Sequence, residues 1–479
     1  MSKVLILILV FFSHLTIAQP FFKVYESNLG RAPLSVSASN SNIFLTLIQN
    51  TTNDPFDQGA LIQLQKLDAT GTKLDSVFLT NVGFVFDSEL INNNLYLAAL
   101  LNDSVGHVAV LKYNQQLNLI HTDTIARRDT ISSFGTIVFD HQKLQSTFVR
   151  NGIQTEAYTI TYNPISAQKS TSVLILPATN VSNIYATVTT PLANSVYVYQ
   201  TSNPLEVYLG NNSLSNPFSR TLRYNNRPFF ALGKPPLISF DNNYLFTGYT
   251  SEFLGSNQGL YIEKGITNNL IRTDSIYFDG DGASLGPAFF KGGIRVDTSL
   301  YILSNHSTIN GIVSVYPAQD YETSYHLTRL NNQLQPIWEH VEPTVGNNIS
   351  PFYLTVQPNG DALIAGVIIK PSPAQANYRI FLSRISANGV ASSMSDPEQL
   401  ANRSLHLYPN PGNETLQWNL PHMNDGLWEL RIYNMQGQLL LHADGSPEKT
   451  STEFIPAGMY CVILKHPVHG SYNSKWVRM

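Results

Sequence analysis

Residues 64–79 read LQKLDATGTKLDSVFL, which is an apolar strand, a turn ending in Gly71 and a second strand of alternating apolar and polar residues. Glycine stands where a tight hairpin requires a positive φ angle. A similar unit returns at residues 382–389, which read LSRISANG, and other copies lie between the two. A hairpin that recurs along the chain predicts an architecture of repeated sheets.

A second marker, a turn followed by a strongly apolar strand, precedes each copy of the hairpin. One four-stranded sheet cannot bury both of its faces, whereas sheets stacked around an axis bury each face against a neighbour. The period of roughly 45–65 residues is typical of propeller blades. We therefore predict an all-β fold with a seven-bladed β-propeller over residues 19–395. The marker begins at Asn42, Asn94, Lys143, Ser195, Asn243, Ser299 and Asp361.

Two architectural alternatives stay open. The third and fourth copies of the hairpin are degenerate, so six or eight blades also fit the pattern. A row of stacked β-sandwich domains would likewise give short strands at regular spacing.

The composition excludes one class of partner and supports the β assignment. Charged residues make up 13% of the 479, the net charge is -4, and Lys and Arg are scattered along the chain. This distribution does not suit binding to a nucleic-acid backbone. The polar residues are mostly Asn, Ser, Thr and Gln, which are common in strands and turns.

The first eighteen residues predict a signal peptide that directs the chain to the Sec translocon. Lys3 supplies the positive start, residues 4–12 are an unbroken apolar run, and Thr16-Ile17-Ala18 offers small residues at the cleavage positions. We expect cleavage between Ala18 and Gln19. The apolar run is about half of what a membrane-spanning helix needs, so no transmembrane segment is predicted.

The last part of the chain has a strand pattern of its own. Residues 396–402 are polar and predict a linker, and seven short strands follow within residues 403–479. That number fits a small immunoglobulin-like β-sandwich. The single cysteine, Cys461, alternates with Met459 and Ile463 in one of these strands, and we predict it to be a buried apolar residue.

Four motifs lie in order within residues 403–479: LYPNP at 407–411, LRIYNMQGQ at 430–438, IPAGMYCV at 455–462 and KWVR at 475–478. Their joint order resembles the type A carboxyl-terminal sorting domain of proteins exported by the type IX secretion system of Bacteroidetes. The family usually has Asp before the central turn and a basic residue after its Gly, where this chain has Asn434 and Gln438. The positions that carry the resemblance are Tyr408, Pro409, Asn410, Pro411, Gly437, Pro456, Gly458, Tyr460, Lys475 and Arg478.

The resemblance implies a route and a fate for the chain. It implies that the type IX machinery carries the protein from the periplasm across the outer membrane, to be secreted or held at the cell surface. It also implies that a surface protease commonly removes this domain, and that the product is released or attached to a surface glycolipid. It says nothing about residues 19–395.

No catalytic residue is predicted for the body of the chain. We find no nucleophile elbow, zinc-type histidine spacing, phosphate loop or paired carboxylates in a plausible frame. Asp279 and Asp281 flank Gly280 and could give oxygen ligands to calcium, although an ordinary turn explains them better. No other cofactor is predicted.

Three histidines occur close together in sequence near three glutamates. His306, His326 and His340 lie in one predicted blade near Glu322, Glu339 and Glu342, but no pair has the i, i+4 spacing of a helical metal site. We interpret their proximity as chance.

The longest apparent insertion runs from Ser304 to Ser324 and carries Tyr316 and Tyr321, with Tyr325 close behind. Aromatic side chains on a propeller loop could stack on a sugar or pack against a protein. We therefore predict an exported propeller that binds an extracellular protein or glycan. The alternatives are a hydrolase or lyase whose carboxylates meet at the axis, with Glu252 among the candidates, and a structural surface component.

Overall fold

The computed structural model describes the chain in segments, and these contain no α-helix. The chain divides into two compact units: Met1–Ser393, called the body below, and Met394–Met479, called the terminal unit. The described residues are 20–25, 30–50, 60–128, 133–140, 142–151, 155–175, 181–189, 195–201, 207–211, 219–221, 223–224, 227–230, 237–240, 243–251, 258–266, 270–278, 284–288, 290–307, 323–342, 348–370, 377–390, 407–412, 414–418, 429–434, 439–444, 449–466 and 470–479.

The described part of the body contains seven antiparallel sheets, numbered 1 to 7 along the chain. Strand β1 (Phe21–Tyr25) comes first in sequence but belongs to sheet 7. Sheets 1 to 4 each have four strands, paired in sequence order. They are β2 (Gly30–Ala38), β3 (Asn42–Asn50), β4 (Leu61–Asp68) and β5 (Lys73–Phe78); β6 (Val82–Ile91), β7 (Asn94–Leu101), β8 (His107–Tyr113) and β9 (Leu119–Arg127); β10 (Ser133–Asp140), β11 (Lys143–Asn151), β12 (Thr155–Asn163) and β13 (Gln168–Ile175); and β14 (Val181–Thr189), β15 (Ser195–Thr201), β16 (Val207–Asn211) and β17 (Ser219–Thr221).

Sheets 5 and 6 differ because their first strand is interrupted, so that two pieces pair with the same neighbour. Sheet 5 is β18 (Arg223–Tyr224), β19 (Arg227–Phe230), β20 (Leu237–Phe240), β21 (Asn243–Ser251), β22 (Gln258–Ile266) and β23 (Arg272–Phe278). Sheet 6 is β24 (Ser284–Pro287), β25 (Gly293–Val296), β26 (Ser299–Ser307), β27 (Thr323–Leu330) and β28 (Pro336–Val341). Sheet 7 is β29 (Asn348–Val356), β30 (Ala362–Lys370) and β31 (Asn377–Ile385), with β1 outermost.

The seven apolar markers of the sequence fall on the same place in every sheet. Six begin the strand that pairs with the first strand, and Asp361 immediately precedes it; these strands are β3, β7, β11, β15, β21, β26 and β30. In β3 the consecutive residues Ile43, Phe44 and Leu45 are all buried. Consecutive apolar residues are needed because this strand is covered on both faces by the neighbouring sheets.

The sheets form a closed ring. The first strand of each sheet contacts that of the next, through β2, β6, β10, β14, β20, β25 and β29, and β29 contacts β2 again. Strand β1 closes the ring by pairing antiparallel with β31, with Phe22 opposite Ser383. Strand β1 also reaches sheet 1, because the Tyr25 hydroxyl donates to the Gly71 carbonyl at 2.6 Å.

The recurring hairpin turns place a residue with a positive φ angle just before the second strand, and that residue is not always glycine. Gly71 and Gly389 adopt φ angles of 75° and 79°, as the sequence pattern predicted. In sheets 2 and 6 the equivalent position is leucine, with φ angles of 61° at Leu117 and 57° at Leu334. Both leucines are buried, so apolar burial offsets the cost of the left-handed conformation.

The described part of the terminal unit contains two sheets around one core. One has the order β32-β33-β36 and the other β35-β34-β37-β38. Trp418, Leu430, Val462 and Trp476 are among the buried residues that form the core. The strands are β32 (Leu407–Tyr408), β33 (Thr415–Trp418), β34 (Glu429–Asn434), β35 (Leu439–Asp444), β36 (Lys449–Ser451), β37 (Gly458–His466) and β38 (Gly470–Arg478).

Replacing Phe22 with alanine should weaken the closure of the ring. The Phe22 side chain is 9% exposed and its ring stacks on that of Phe381 at 5.3 Å. We expect Phe22→Ala to lower the free energy of unfolding of the body by about 3–5 kcal/mol in urea denaturation of the full chain. The control Leu74→Ala truncates a 56% exposed side chain of β5 and should change the free energy of unfolding by less than about 0.5 kcal/mol. Equal effects would contradict the closure.

Candidate functional site

A cavity of about 410 Å³ lies at the carboxyl ends of the first strands of the ring. Its size falls within the roughly 300–1,000 Å³ of small-molecule sites. The described lining comes from sheets 1, 2, 3, 6 and 7, so residues far apart in sequence meet there. The polar lining residues are Ser37, Ser88, Glu89, Gln142, Lys291, Arg295, Thr355 and Gln357, and the apolar ones are Ala38, Leu90, Phe139, Ile294, Val296, Val356 and Pro358.

An ion pair crosses the axis beside this cavity. The Lys291 ammonium lies 2.9 Å from Oδ2 of Asp87, a residue that is 1% exposed. The same carboxylate oxygen accepts a hydrogen bond from the Phe139 backbone N–H at 2.8 Å. Because Lys291 belongs to sheet 6, Asp87 to sheet 2 and Phe139 to sheet 3, one carboxylate ties together three sheets that are not all neighbours in the ring.

The interruption between β24 and β25 is what brings Lys291 to the axis. The backbone N–H groups of Phe290 and Lys291 both donate to the Phe352 carbonyl, at 3.0 and 3.1 Å. Gly292 allows this path, since a Cβ atom there would come within 2.9 Å of the Leu303 carbonyl oxygen. The interrupted strand therefore inserts a segment against sheet 7.

An aromatic cluster holds this segment in place. The Phe290 ring centroid lies 5.8 Å from that of Phe84, 5.7 Å from Phe352 and 5.3 Å from Tyr353. The Tyr353 hydroxyl donates to the Phe86 carbonyl. Burial and the nearby Asp87 carboxylate raise the pKa of Tyr353 well above its ordinary value, so its hydroxyl remains a neutral donor.

The cavity wall contains a buried hydrogen-bond acceptor that no described residue satisfies. Gln357 is 0% exposed, and its Nε2 donates to the Ser39 carbonyl at 2.7 Å. Its Oε1 has no hydrogen-bond partner within the described part of the chain, and the same holds for Oδ1 of Asp87 behind the wall. A buried acceptor left unpaired is costly.

The structure brings two of the three histidines, His326 and His340, near glutamates, although on two faces of sheet 6. His326 Nε2 lies 3.4 Å from Glu339, and His340 Nε2 lies 3.1 Å from Glu342. Burial lowers the pKa of His326, and Glu339 offsets part of that shift. The pairing of β27 with β28 produces the contact of His326 with Glu339, and the alternation of side chains along one strand brings His340 to Glu342, two residues further on. Within the described residues, no three His, Cys, Asp or Glu side chains are placed to hold a metal ion.

Tyr325 lies in the core and not on a binding loop, which corrects the placement expected from sequence. The residue is in strand β27 and is 0% exposed. Its hydroxyl donates to Ser383 Oγ at 2.8 Å, and Glu342 lies 3.2 Å away. Ser304 and Ser324, the ends of the predicted insertion, also lie within strands.

Several predicted positions lie outside the described residues: Ala18, Gln19, Glu252, Asp279, Asp281, Tyr316, Tyr321 and Gly437. Sequence analysis also missed Asp87, Lys291 and Gln357. Asp87 gave a usable signal, since it is a charged residue within the strand sequence FVFDSEL. A charge inside an otherwise apolar strand is costly to bury unless it has a partner.

In the terminal unit the first and last motifs of the sequence contact each other. The Asn410 side chain donates to the Lys475 carbonyl at 2.8 Å and accepts from the Val477 N–H at 3.0 Å. The Trp476 indole N–H donates to the Pro409 carbonyl at 3.2 Å. Asn410 thus takes the place of a strand partner along β38, which explains why the two motifs occur together.

Residues 406–477 match the family model described as a secretion system C-terminal sorting domain. The terminal unit is a type IX sorting domain. This domain directs export through the outer membrane, to the cell surface or into the medium. In the described segments no helix is long and apolar enough to span a bilayer.

The body has no identified family. No curated protein matches the chain. Similar solved structures include the extracellular domain of a putative hybrid two component system, BT4673, from B. thetaiotaomicron (TM-score 0.38, 10% identity, 95% of this chain). The chain spans 60% of that structure. The phage phi92 endosialidase has a TM-score of 0.38 and 10% identity, over 96% of this chain and 87% of that one. The polysaccharide lyase Uly1 has a TM-score of 0.43 and 8% identity, over 74% of this chain and 90% of that one. Likenesses this distant do not indicate a ligand or a reaction.

Removing Lys291 should destabilise the body because it leaves the Asp87 carboxylate buried without a counter-ion. We expect Lys291→Met to lower the free energy of unfolding by about 3–5 kcal/mol. The double variant Asp87→Asn with Lys291→Met should lose less than that single variant. Lys73→Met, on the exposed strand β5, is the matched control. Additive effects in a double-mutant cycle would contradict the ion pair.

A chain that lacks residues 394–479 should remain inside the outer membrane. We expect it in the periplasmic fraction, whereas the intact chain appears at the surface or in the medium. Immunodetection in the separated fractions measures the difference. Surface exposure of the shortened chain would show that the sorting domain is not required.

Proposed function

We propose that this chain is an exported binding protein whose body is a seven-bladed β-propeller. The closed ring of seven sheets supports that count. In this proposal residues 1–18 are a signal peptide cleaved after Ala18, residues 19–395 form the propeller and residues 396–402 form a linker. Residues 403–479 are then an immunoglobulin-like sorting sandwich, a proposal supported by the two sheets around one core.

The binding site in this proposal is the axial cavity, and the ligand is the end of an extracellular glycan. The observation that carries the proposal is a cavity large enough for a sugar unit whose lining includes the accessible polar side chains of Thr355 and Gln142. Sugar hydroxyl groups are donors and acceptors at once, so they complement the hydroxyl and amide groups of these two residues.

The charged side chains that line the cavity would orient a bound sugar. Glu89, Lys291 and Arg295 project from sheets 2 and 6, and the Lys291 ammonium already pairs with Asp87. Charged groups that are held in place form stronger hydrogen bonds than neutral groups do, and a sugar ring offers hydroxyls to both signs of charge. An extracellular protein that inserts a polar loop is the competing ligand.

Filling the cavity should weaken binding without unfolding the body. The half-buried Thr355 lines the cavity, so Thr355→Trp should weaken binding by about tenfold or more, equivalent to about 1.4 kcal/mol. The control Thr122→Trp adds the same bulk on exposed strand β9 and should bind normally. The measurement is calorimetric titration of the intact chain with oligosaccharides selected on an array of extracellular polysaccharide fragments.

Three outcomes would change the assignment. Equal affinities of Thr355→Trp and wild type would place the glycan elsewhere on the body. Binding of extracellular proteins alone would favour the protein ligand. Shortening of the oligosaccharides during the titration would identify the hydrolase or lyase alternative.

A further inference from the structure

Strand β37 of the sorting domain is apolar on both faces. Side chains alternate between the two faces of a sheet, so a strand in a two-sheet unit usually has one apolar and one polar face. Tyr460, Val462 and Leu464 are buried in the core. The alternate residues Met459, Cys461 and Ile463 therefore point to the outer side of the same sheet.

The neighbouring strands extend this outer apolar surface. Val477 of β38 lies opposite Met459, and Tyr433 of β34 lies opposite Cys461. We call the five residues Met459, Cys461, Ile463, Val477 and Tyr433 the outer patch. Met459 is 47% exposed and the other four are half-buried. Cys461 is therefore only partly buried, whereas the sequence pattern predicted a buried residue.

An exposed cation borders the outer patch. Lys475 lies opposite Cys461 in the β37–β38 ladder, and its ammonium has no partner among the residues described. Arg431, which lies opposite Ile463, is paired, since its guanidinium lies 2.5 Å from the Glu429 carboxylate. The patch thus combines exposed apolar area with the unpaired ammonium of Lys475.

Other exposed apolar side chains of the sorting domain do not form such a surface. Phe454 is 63% exposed but lies in the turn after β36, outside the β34–β37–β38 ladders. Single exposed apolar residues are common on protein surfaces, whereas a contiguous group marks an interaction site. The outer patch is contiguous because its members are direct partners or next neighbours in two strand ladders.

We propose that the outer patch is the surface by which the sorting domain docks on a protein of the type IX export machinery. The domain is a type IX sorting domain, so this machinery must contact it during export. The charge of the patch specifies the partner, which presents an apolar surface with a carboxylate opposite Lys475. Asn410 holds β38 from its far edge and so keeps Lys475 and Val477 in place for docking.

The test compares export of full-length variants in a bacterium that has a type IX machinery. Met459→Glu places a charge in the outer patch and should reduce the share of chain outside the outer membrane by about tenfold, because burying an unpaired carboxylate in an apolar contact is costly. Phe454→Glu makes the same change at a more exposed apolar residue outside the patch and should be exported normally. Lys475→Glu should reduce export, and Lys475→Arg should keep it within about twofold because the charge is retained.

Thermal unfolding of each purified chain distinguishes lost docking from lost folding. Lys475 is exposed, so Lys475→Glu should keep the wild-type Tm while losing export. Normal export of both Met459→Glu and Lys475→Glu would overturn the proposal. A change of oligomeric state with normal export would also overturn it, since the patch would then be a contact between two copies of the chain.

Discussion

The pairing of the first strand, β1, with the last strand of the body, β31, is the constraint on which the other features of the body depend. Each sheet is apolar on both faces, and a linear stack would leave the outer faces of its first and last sheets in water. Joining the two ends into a ring removes those faces. Because the ring is closed by residues 21–25, the beginning and the end of the body fold as one sheet.

Ring closure also determines where chemistry can occur. It brings seven first strands to the axis, where residues at the ends of five of them line a cavity. The interrupted strand of sheet 6 brings Lys291 to Asp87 across this axis. The proposed binding site thus lies where distant sheets are tied together, since Lys291 pairs with Asp87 and also lines the cavity.

Much of the fold could be predicted from sequence because burial on two faces leaves a local pattern. The apolar run beginning at Asn42 and the turn glycine Gly71 are examples. The turn at Leu117 could not be recognised by searching for glycine, because there the burial of a leucine side chain stabilises the left-handed conformation. The cavity could not be predicted, since Ser88, Lys291 and Gln357 lie in different sheets and only ring closure brings them together. The sorting domain could be predicted because its motifs contact each other in the fold and therefore occur together in the sequence. Asn410 of the first motif, for example, is hydrogen-bonded to strand β38 of the last motif.

Hydrogen–deuterium exchange of the intact chain tests the closed ring most directly. Backbone amides that pair in a stable sheet exchange only when that sheet opens. The account predicts that amides of residues 21–25 are protected to the same extent as those of residues 380–384, and that both lose protection together as denaturant is added. Exchange of residues 21–25 at the rate of an unstructured peptide, while β30 stays protected, would contradict the account.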